Sequence, residues 1–297
     1  MNPVTEKLFA LLQLILPHHA LSRLVGALAR SETPWIKTLF IDTFRKRFAV
    51  DLAQAEIEDA DQFDSFNAFF TRALKPGARP ICDEADAIVS PADGAISQLG
   101  PIRGSDLLQA KGRYFSLFEL VGGDGALASE FINGQFATVY LSPKDYHRVH
   151  MPVSGTLREM IYVPGRLFSV NQATTRQIPD LFARNERAVC VFDTDYGPVA
   201  VILVGAMIVA GIETVFAGQI TPLARQVTRQ HFADRPAIRL DRGDELGRFL
   251  LGSTAIVLFP PGVAEFNAGL AADSPVRMGE KIGTLKPVTQ PASKKPV

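Results

Sequence analysis

From about Ile81 onward the apolar residues of this chain come in short runs cut by Gly, Pro, Asp and Asn. Ala87-Ile88-Val89, Phe136-Ala137-Thr138-Val139-Tyr140, Val189-Cys190-Val191-Phe192, Val199-Ala200-Val201-Ile202-Leu203-Val204 and Ala255-Ile256-Val257-Leu258-Phe259 are the clearest examples. They are too short for helices and rich in β-branched and aromatic side chains, which suit a pleated surface. Residues 199–212 carry no charge, yet they are too few to span a bilayer, and Gly205 and Gly211 fit strands better than a helix. The expectation is a predominantly antiparallel β-rich domain over residues 63–285.

Ahead of it lie three helical patterns. The first is Leu8 to Leu16, ended by Pro17; the second carries Leu21, Leu24, Val25 and Leu28 at helical spacing; the third opens with Thr33 as N-cap and Pro34 at the first helical position. Trp35, the single tryptophan, stands at the start of the third, flanked by Lys37, Arg45, Lys46 and Arg47. Apolar stripes edged by basic residues suit a helix lying in a membrane interface, and equally a bundle packed on the protein's own core. Leu8 to Leu16 is about half of the roughly 20 apolar residues a spanning helix needs, and no small-residue cleavage site follows, so neither a signal peptide nor a transmembrane helix is expected. The fold class is therefore α+β: a helical region at 1–62, a β-rich region at 63–285, and a Pro- and Lys-rich tail at 286–297 expected to be disordered.

Lysine plus arginine equals aspartate plus glutamate at 31 each in 297 residues. A net charge of zero argues against a general nucleic-acid binder, whose affinity rests on neutralising phosphates. Cys82 and Cys190 are too few for a disulfide scaffold and fit a reducing, cytosolic setting.

Four segments carry candidate chemistry. Asp93, in Ser90-Pro91-Ala92-Asp93-Gly94, places a carboxylate in a turn after an apolar run. His147 and His150 lie three apart between Pro143 and Pro152, a bracketing that disfavours a helical zinc site, and no third ligand stands at the right spacing. Each histidine can instead have its own task, one as a base and one as an acid, or both can be structural. Ser253, in Leu251-Gly252-Ser253-Thr254, follows a glycine at the head of the last apolar run. Asp93, His150 and Ser253 supply the residue types of a Ser-His-Asp triad in an order that known triads use. Ser253 has no Gly-x-Ser-x-Gly elbow, which disfavours an ordinary α/β-hydrolase; a serine esterase or peptidase of another kind, or a lipid-binding scaffold, remains open. The fourth segment, Phe66-Asn67-Ala68-Phe69-Phe70-Thr71-Arg72, has no role of its own by composition.

The segments FNAFFTRALKPGARPI (66–81), SPADG (90–94), YLSPKDYHRVHMPVSG (140–155), LFARNER (181–187) and GRFLLGSTAIVLFP (247–260) together resemble the bacterial, membrane-associated type of phosphatidylserine decarboxylase. The resemblance runs collinearly over nearly the whole chain except the tail. It implies a proenzyme that cuts itself between Gly252 and Ser253, with His150, oriented by Asp93, removing the Ser253 hydroxyl proton. It further implies a pyruvoyl cofactor derived from Ser253, which forms a Schiff base with the substrate amine. His147 is then the proton donor in decarboxylation, and Tyr140 and Ser169 line the headgroup pocket. The implied partners are phosphatidylserine, an anionic membrane surface at the cytoplasmic side of the cell membrane, and the cleaved chains 1–252 and 253–297 associating with each other, with a homodimer as an open option. No metal is implied.

Overall fold

Each apolar run singled out above is a strand or lies within one. The computed structural model describes residues 3–110, 112–207, 211–220, 225–232 and 236–286. Apart from Lys286, the tail expected to be disordered falls outside them. Among the described residues the largest sheet has nine strands, paired antiparallel throughout. Its spatial order is Thr228–His231, Gly155–Val163, Arg187–Thr194, Gly197–Gly205, Ser253–Phe259, Gln135–Tyr140, Gly94–Pro101 and Pro275–Val276, with Arg239–Leu240 as a second partner of Gly155–Val163.

The central strands are apolar over residues 199–204 and 255–259 because both faces of the sheet are covered there. Val199, Val201, Leu203, Ala255, Val257 and Phe259 belong to one buried cluster. Ala200, Ile202, Val204, Ile256 and Leu258, one residue out of step, belong to another on the opposite face. A period of two thus fills two cores from the same strands. A smaller four-stranded sheet, ordered Gly218–Gln219, Ile212–Thr214, Glu245–Phe249 and Arg148–His150, lies beside it. Ala87–Val89, Lys281–Leu285 and Ala264–Phe266 form a third sheet.

The helical patterns become α1 (Pro3–Ile15), α2 (His18–Ala29) and α3 (Pro34–Phe48), followed by the short α4 (Phe66–Phe70). Thr33 occupies the N-cap position of α3 without a side-chain capping bond, and Pro34 sits at the first turn. A phenylalanine-rich cluster, with Ile41, Phe63, Phe66, Phe69 and Phe70, ties α3 to α4 across the expected boundary at 62 and 63.

The amphipathicity of α1 and α2 is inverted relative to a helix packed on a core. Leu8, Leu11 and Ile15 are 67%, 60% and 79% exposed, whereas Gln13 and His18 are buried. The inward face is polar and specific: Glu6 pairs with Arg176 at 2.6 Å, Gln13 Oε1 accepts from the Ser169 amide at 2.8 Å, and His18 Nδ1 accepts from the Leu167 amide at 3.4 Å. Leu24, Trp35 and Leu39 extend the exposed apolar surface onto α2 and α3. Among the described residues no single helix is long and apolar enough to cross a membrane; α1 and α2 pass that test only as a pair, bent by 86°.

Candidate active site at the Gly252–Ser253 junction

Residues 250–252 carry the chain from one sheet to another. Glu245–Phe249 lies in the four-stranded sheet, paired with Arg148–His150, and Ser253–Phe259 opens immediately afterwards in the nine-stranded one. Three residues make this crossing, and the last, Gly252, takes φ +56°, a left-handed conformation that costs an L-residue with a Cβ about 1–2 kcal/mol. Ser253 is 4% exposed; it lies in register opposite Gly205, and its carbonyl accepts from the Leu141 amide at 2.8 Å.

The same crossing brings His147 to the junction, because the Phe249 amide donates to the His147 carbonyl at 3.1 Å. The His147 imidazole is fully buried, 3.9 Å centroid to centroid from Phe70. Its Nδ1 donates to the Asp145 carbonyl at 2.8 Å, which leaves Nε2 as an unprotonated acceptor. That Nε2 is buried with no hydrogen-bond partner among the described residues and stands 3.4 Å from where a Cβ on residue 252 would lie. Burial is the main reason the imidazole is pushed down to about 3; the bond to Asp145 opposes this and the positive charge of Arg72 adds to it.

Gly252, Ser253 and His147 line a cavity of about 650 Å³, together with Tyr140 and Ser169. Phe40, Phe44, Phe66 and Phe70 make its aromatic wall, and Val25 and Leu39 join it to the exposed apolar face of α2 and α3. Arg47, exposed near the end of α3, is the one lysine or arginine on the lining among the described residues. Burial raises the Tyr140 phenol above its ordinary range, so it is a neutral hydrogen-bonding group. Ser169 is steered by α1 through Gln13, and its hydroxyl accepts from Asn171 Nδ2 at 3.0 Å.

Asp93 and His150 are neighbours, and among the described residues no hydrogen-bonded relay Asp93–His150–Ser253 is formed. The His150 amide donates to the Pro91 carbonyl at 2.7 Å, so strand Arg148–His150 does lie against the Ser90-Pro91-Ala92-Asp93-Gly94 loop. Its ring, however, donates from Nδ1 to the Gly243 carbonyl at 2.7 Å and accepts at Nε2 from the Tyr146 hydroxyl at 3.0 Å. Asp93 is taken by Arg79, whose Nε reaches Oδ1 at 2.8 Å and whose Nη2 reaches Oδ2 at 2.5 Å, and by the Met278 amide at 2.9 Å. A guanidinium offering two charged donors outcompetes a neutral imidazole for one carboxylate. Asp93 acts on His150 only through space, favouring its charged form, while burial dominates and lowers its pKa. Neither Asp93 nor His150 is on the lining of the cavity that holds Ser253.

Phe70, Arg72, Arg79 and Tyr146 shape the site without having been assigned roles from the sequence. Phe70, Arg72 and Arg79 fall in the FNAFFTRALKPGARPI segment and Tyr146 in YHRVH, so the segments marked them while their partners, all distant in sequence or set by ring orientation, did not show. Gly94 is a further constraint: with φ +156° it lets its strand pass so close to Tyr140 that a Cβ would run into the Tyr140 carbonyl.

This chain is similar to known proteins over most of its length. A family model described as phosphatidylserine decarboxylase matches residues 66–284, and a second, described as PSD, matches residues 8–49. A phosphatidylserine decarboxylase proenzyme of Alcanivorax borkumensis is 65% identical over 279 residues, covering 94% of this chain and 96% of the relative. Proteins of the same description from Pseudomonas aeruginosa and Pseudomonas fluorescens are 61% and 58% identical, covering 95% and 94% of this chain and 98% and 97% of theirs. With the match spanning both the helical region and the β-rich region that builds the Gly252–Ser253 junction, the chain belongs to the phosphatidylserine decarboxylase family.

Proposed function

We propose that this chain decarboxylates phosphatidylserine to phosphatidylethanolamine, and that it becomes competent by cutting itself between Gly252 and Ser253. The junction carries the reading: a left-handed glycine, a buried serine and an imidazole nitrogen without a partner meet at the end of an apolar cavity.

In maturation the Ser253 hydroxyl oxygen attacks the Gly252 carbonyl carbon and its proton passes to a histidine. The peptide C–N bond breaks as the ester C–O bond forms, elimination frees chain 1–252 with a terminal carboxylate, and water converts the new end of chain 253–297 to a pyruvoyl group with release of ammonia. The residues fit such a group, because position 253 is buried, lines the cavity, and is held through its carbonyl, which cleavage leaves in place, by the Leu141 amide. When present, the group supplies a carbonyl for the substrate amine and a sink for the electrons left by carbon dioxide.

We assign Asp93, His150 and Ser253 to maturation, supported by the contact between the His150 backbone and the Asp93 loop. His150 Nε2 becomes a base once the Tyr146 hydroxyl turns away from it. A second reading is favoured by one observation: His147 Nε2 is already free beside Gly252, so the same imidazole can serve in both stages. In decarboxylation His147, neutral at rest, passes a proton drawn from water to the substrate carbon through Nε2. Tyr140 and Ser169 meet the headgroup, and Arg47 at the rim meets the phosphodiester.

The substrate lies in a bilayer, and the outward leucines of α1 and α2 support docking of these helices in an anionic membrane interface at the cytoplasmic side. The test is an intact mass measurement of the denatured protein, expected to give two chains with ammonia lost at residue 253. Ser253→Ala is expected to remain one uncut, inactive chain; cleavage persisting in it refutes the proposal. His150→Ala uncut with His147→Ala cut but inactive supports the first reading of the base, and the reverse pattern for cleavage supports the second.

A further inference from the structure

Arg72 is 6% exposed, at the end of α4. Its neighbours Arg79 and Arg148 pair with Asp93 and Glu245, but Arg72 forms no ion pair among the described residues. Its partners are the carbonyls of Lys144 at 3.0 Å and Asp145 at 3.3 Å, both from Nη2, and the face of Phe69 at 5.7 Å. A buried guanidinium without a carboxylate is costly, and such a placement calls for a reason beyond packing.

Three consecutive residues grip one segment here. The Phe70 ring packs on His147, the Thr71 carbonyl accepts from Arg148 Nε at 2.9 Å, and Arg72 holds residues 144 and 145. The Asp145 carbonyl is shared: it accepts from Arg72 and also from His147 Nδ1. The group that sets the His147 tautomer is thus itself held by Arg72.

We infer that Arg72 is a positioning residue for His147: by holding the Lys144 and Asp145 carbonyls it fixes the imidazole with Nδ1 as donor and Nε2 facing residue 252. The inference rests on the role in decarboxylation proposed above for His147. Arg72 is also the charge that faces this ring. The Asp145 carboxylate is turned to the amide and hydroxyl of Ser142, Arg148 is paired with Glu245, and Asp93 is held by Arg79. The Arg72 charge opposes protonation of His147, in addition to the larger effect of burial.

The test uses Arg72→Gln and Arg72→Lys, each in the mature enzyme and in the uncut Ser253→Ala chain. In the uncut chain, long-range proton–nitrogen NMR reads the His147 tautomer, with the signal identified by its loss in His147→Ala. The parent is expected to show the Nδ1-protonated form alone; Arg72→Gln is expected to mix the tautomers and raise the titration midpoint by on the order of 1 unit. In the mature enzyme Arg72→Gln is expected to lower kcat by roughly 10- to 100-fold, the cost of a misplaced catalytic group, with KM changed far less. The double variant with His147→Ala is expected to be no worse than His147→Ala alone. Arg72→Lys, which keeps the charge and can reach a carbonyl, is expected to recover part of the loss, and it carries the NMR comparison should Arg72→Gln fail to fold. An unchanged tautomer and midpoint, additive losses in the double variant, or equal losses in Gln and Lys overturn the inference. Full turnover by His147→Ala overturns instead the role of His147, while the NMR comparison still judges the part played by Arg72.

Discussion

Gly252→Ala isolates the backbone contribution to the proposed self-cleavage. Residue 252 has φ +56°, and an added Cβ would stand 3.4 Å from His147 Nε2, 3.7 Å from His147 Cδ2 and 3.9 Å from Phe70, all ordinary contacts. Sterics therefore contribute little and conformational strain carries the effect. A left-handed alanine costs about 1–2 kcal/mol, so if the junction relaxes out of this conformation the attack-ready geometry is depopulated by a factor of about 5 to 30. The rate of appearance of chains 1–252 and 253–297, followed by gel and mass after translation is stopped, is expected to fall by that factor. The melting temperature of the uncut chain is expected to fall by no more than about 8 °C, since each kcal/mol shifts a chain of this class by roughly 2–4 °C. Asn tolerates the left-handed region better than Ala, so Gly252→Asn is expected to cut faster than Gly252→Ala in spite of its larger side chain. Alanine cutting at the parental rate, or faster than asparagine, refutes the argument from strain.

Two further outcomes test the burial of His147 and the orientation of the helices. The unfolded imidazole binds a proton below about 6.5, while the native one, pushed down to about 3, does not, so stability is lost as pH falls from 6.5 towards 3. Between pH 7 and pH 5 this one group removes about 2 kcal/mol; urea unfolding of Ser253→Ala with and without His147→Gln should differ by that amount, and equal pH slopes would contradict the burial. Replacing Leu8, Leu11 and Ile15 together by Asn is expected to weaken co-sedimentation with anionic vesicles by on the order of 100-fold, at about 1 kcal/mol per partly inserted side chain, with little change in melting temperature; unchanged co-sedimentation would remove α1 from the docking surface.

The strands were legible because the central ones are buried on both faces, so that Val199 to Val204 and Ala255 to Phe259 read as unbroken apolar runs. The helices were legible from their spacing, but not the direction they face. Periodicity shows that α1 has a leucine side and a polar side; that the polar side turns inward depends on Arg176 and on the amides of Ser169 and Leu167, some 150 residues or more away. Asp93 was legible as a candidate, whereas its partner was not, because residue types in triad order carry no sign that Arg79 takes the carboxylate.

The sequence by itself determined the α+β class and the family and marked the Gly252–Ser253 junction as the candidate cleavage site, because these rest on local composition and on collinear motifs. Only the tertiary structure decided what surrounds each of the two histidines. His147 and His150 sit three residues apart with identical side chains, yet one ends with a free nitrogen at Gly252 and the other between Gly243 and Tyr146. The difference comes from burial and from carbonyls that the fold delivers to each ring, and a chemical role set by such partners exists only once the strands have paired.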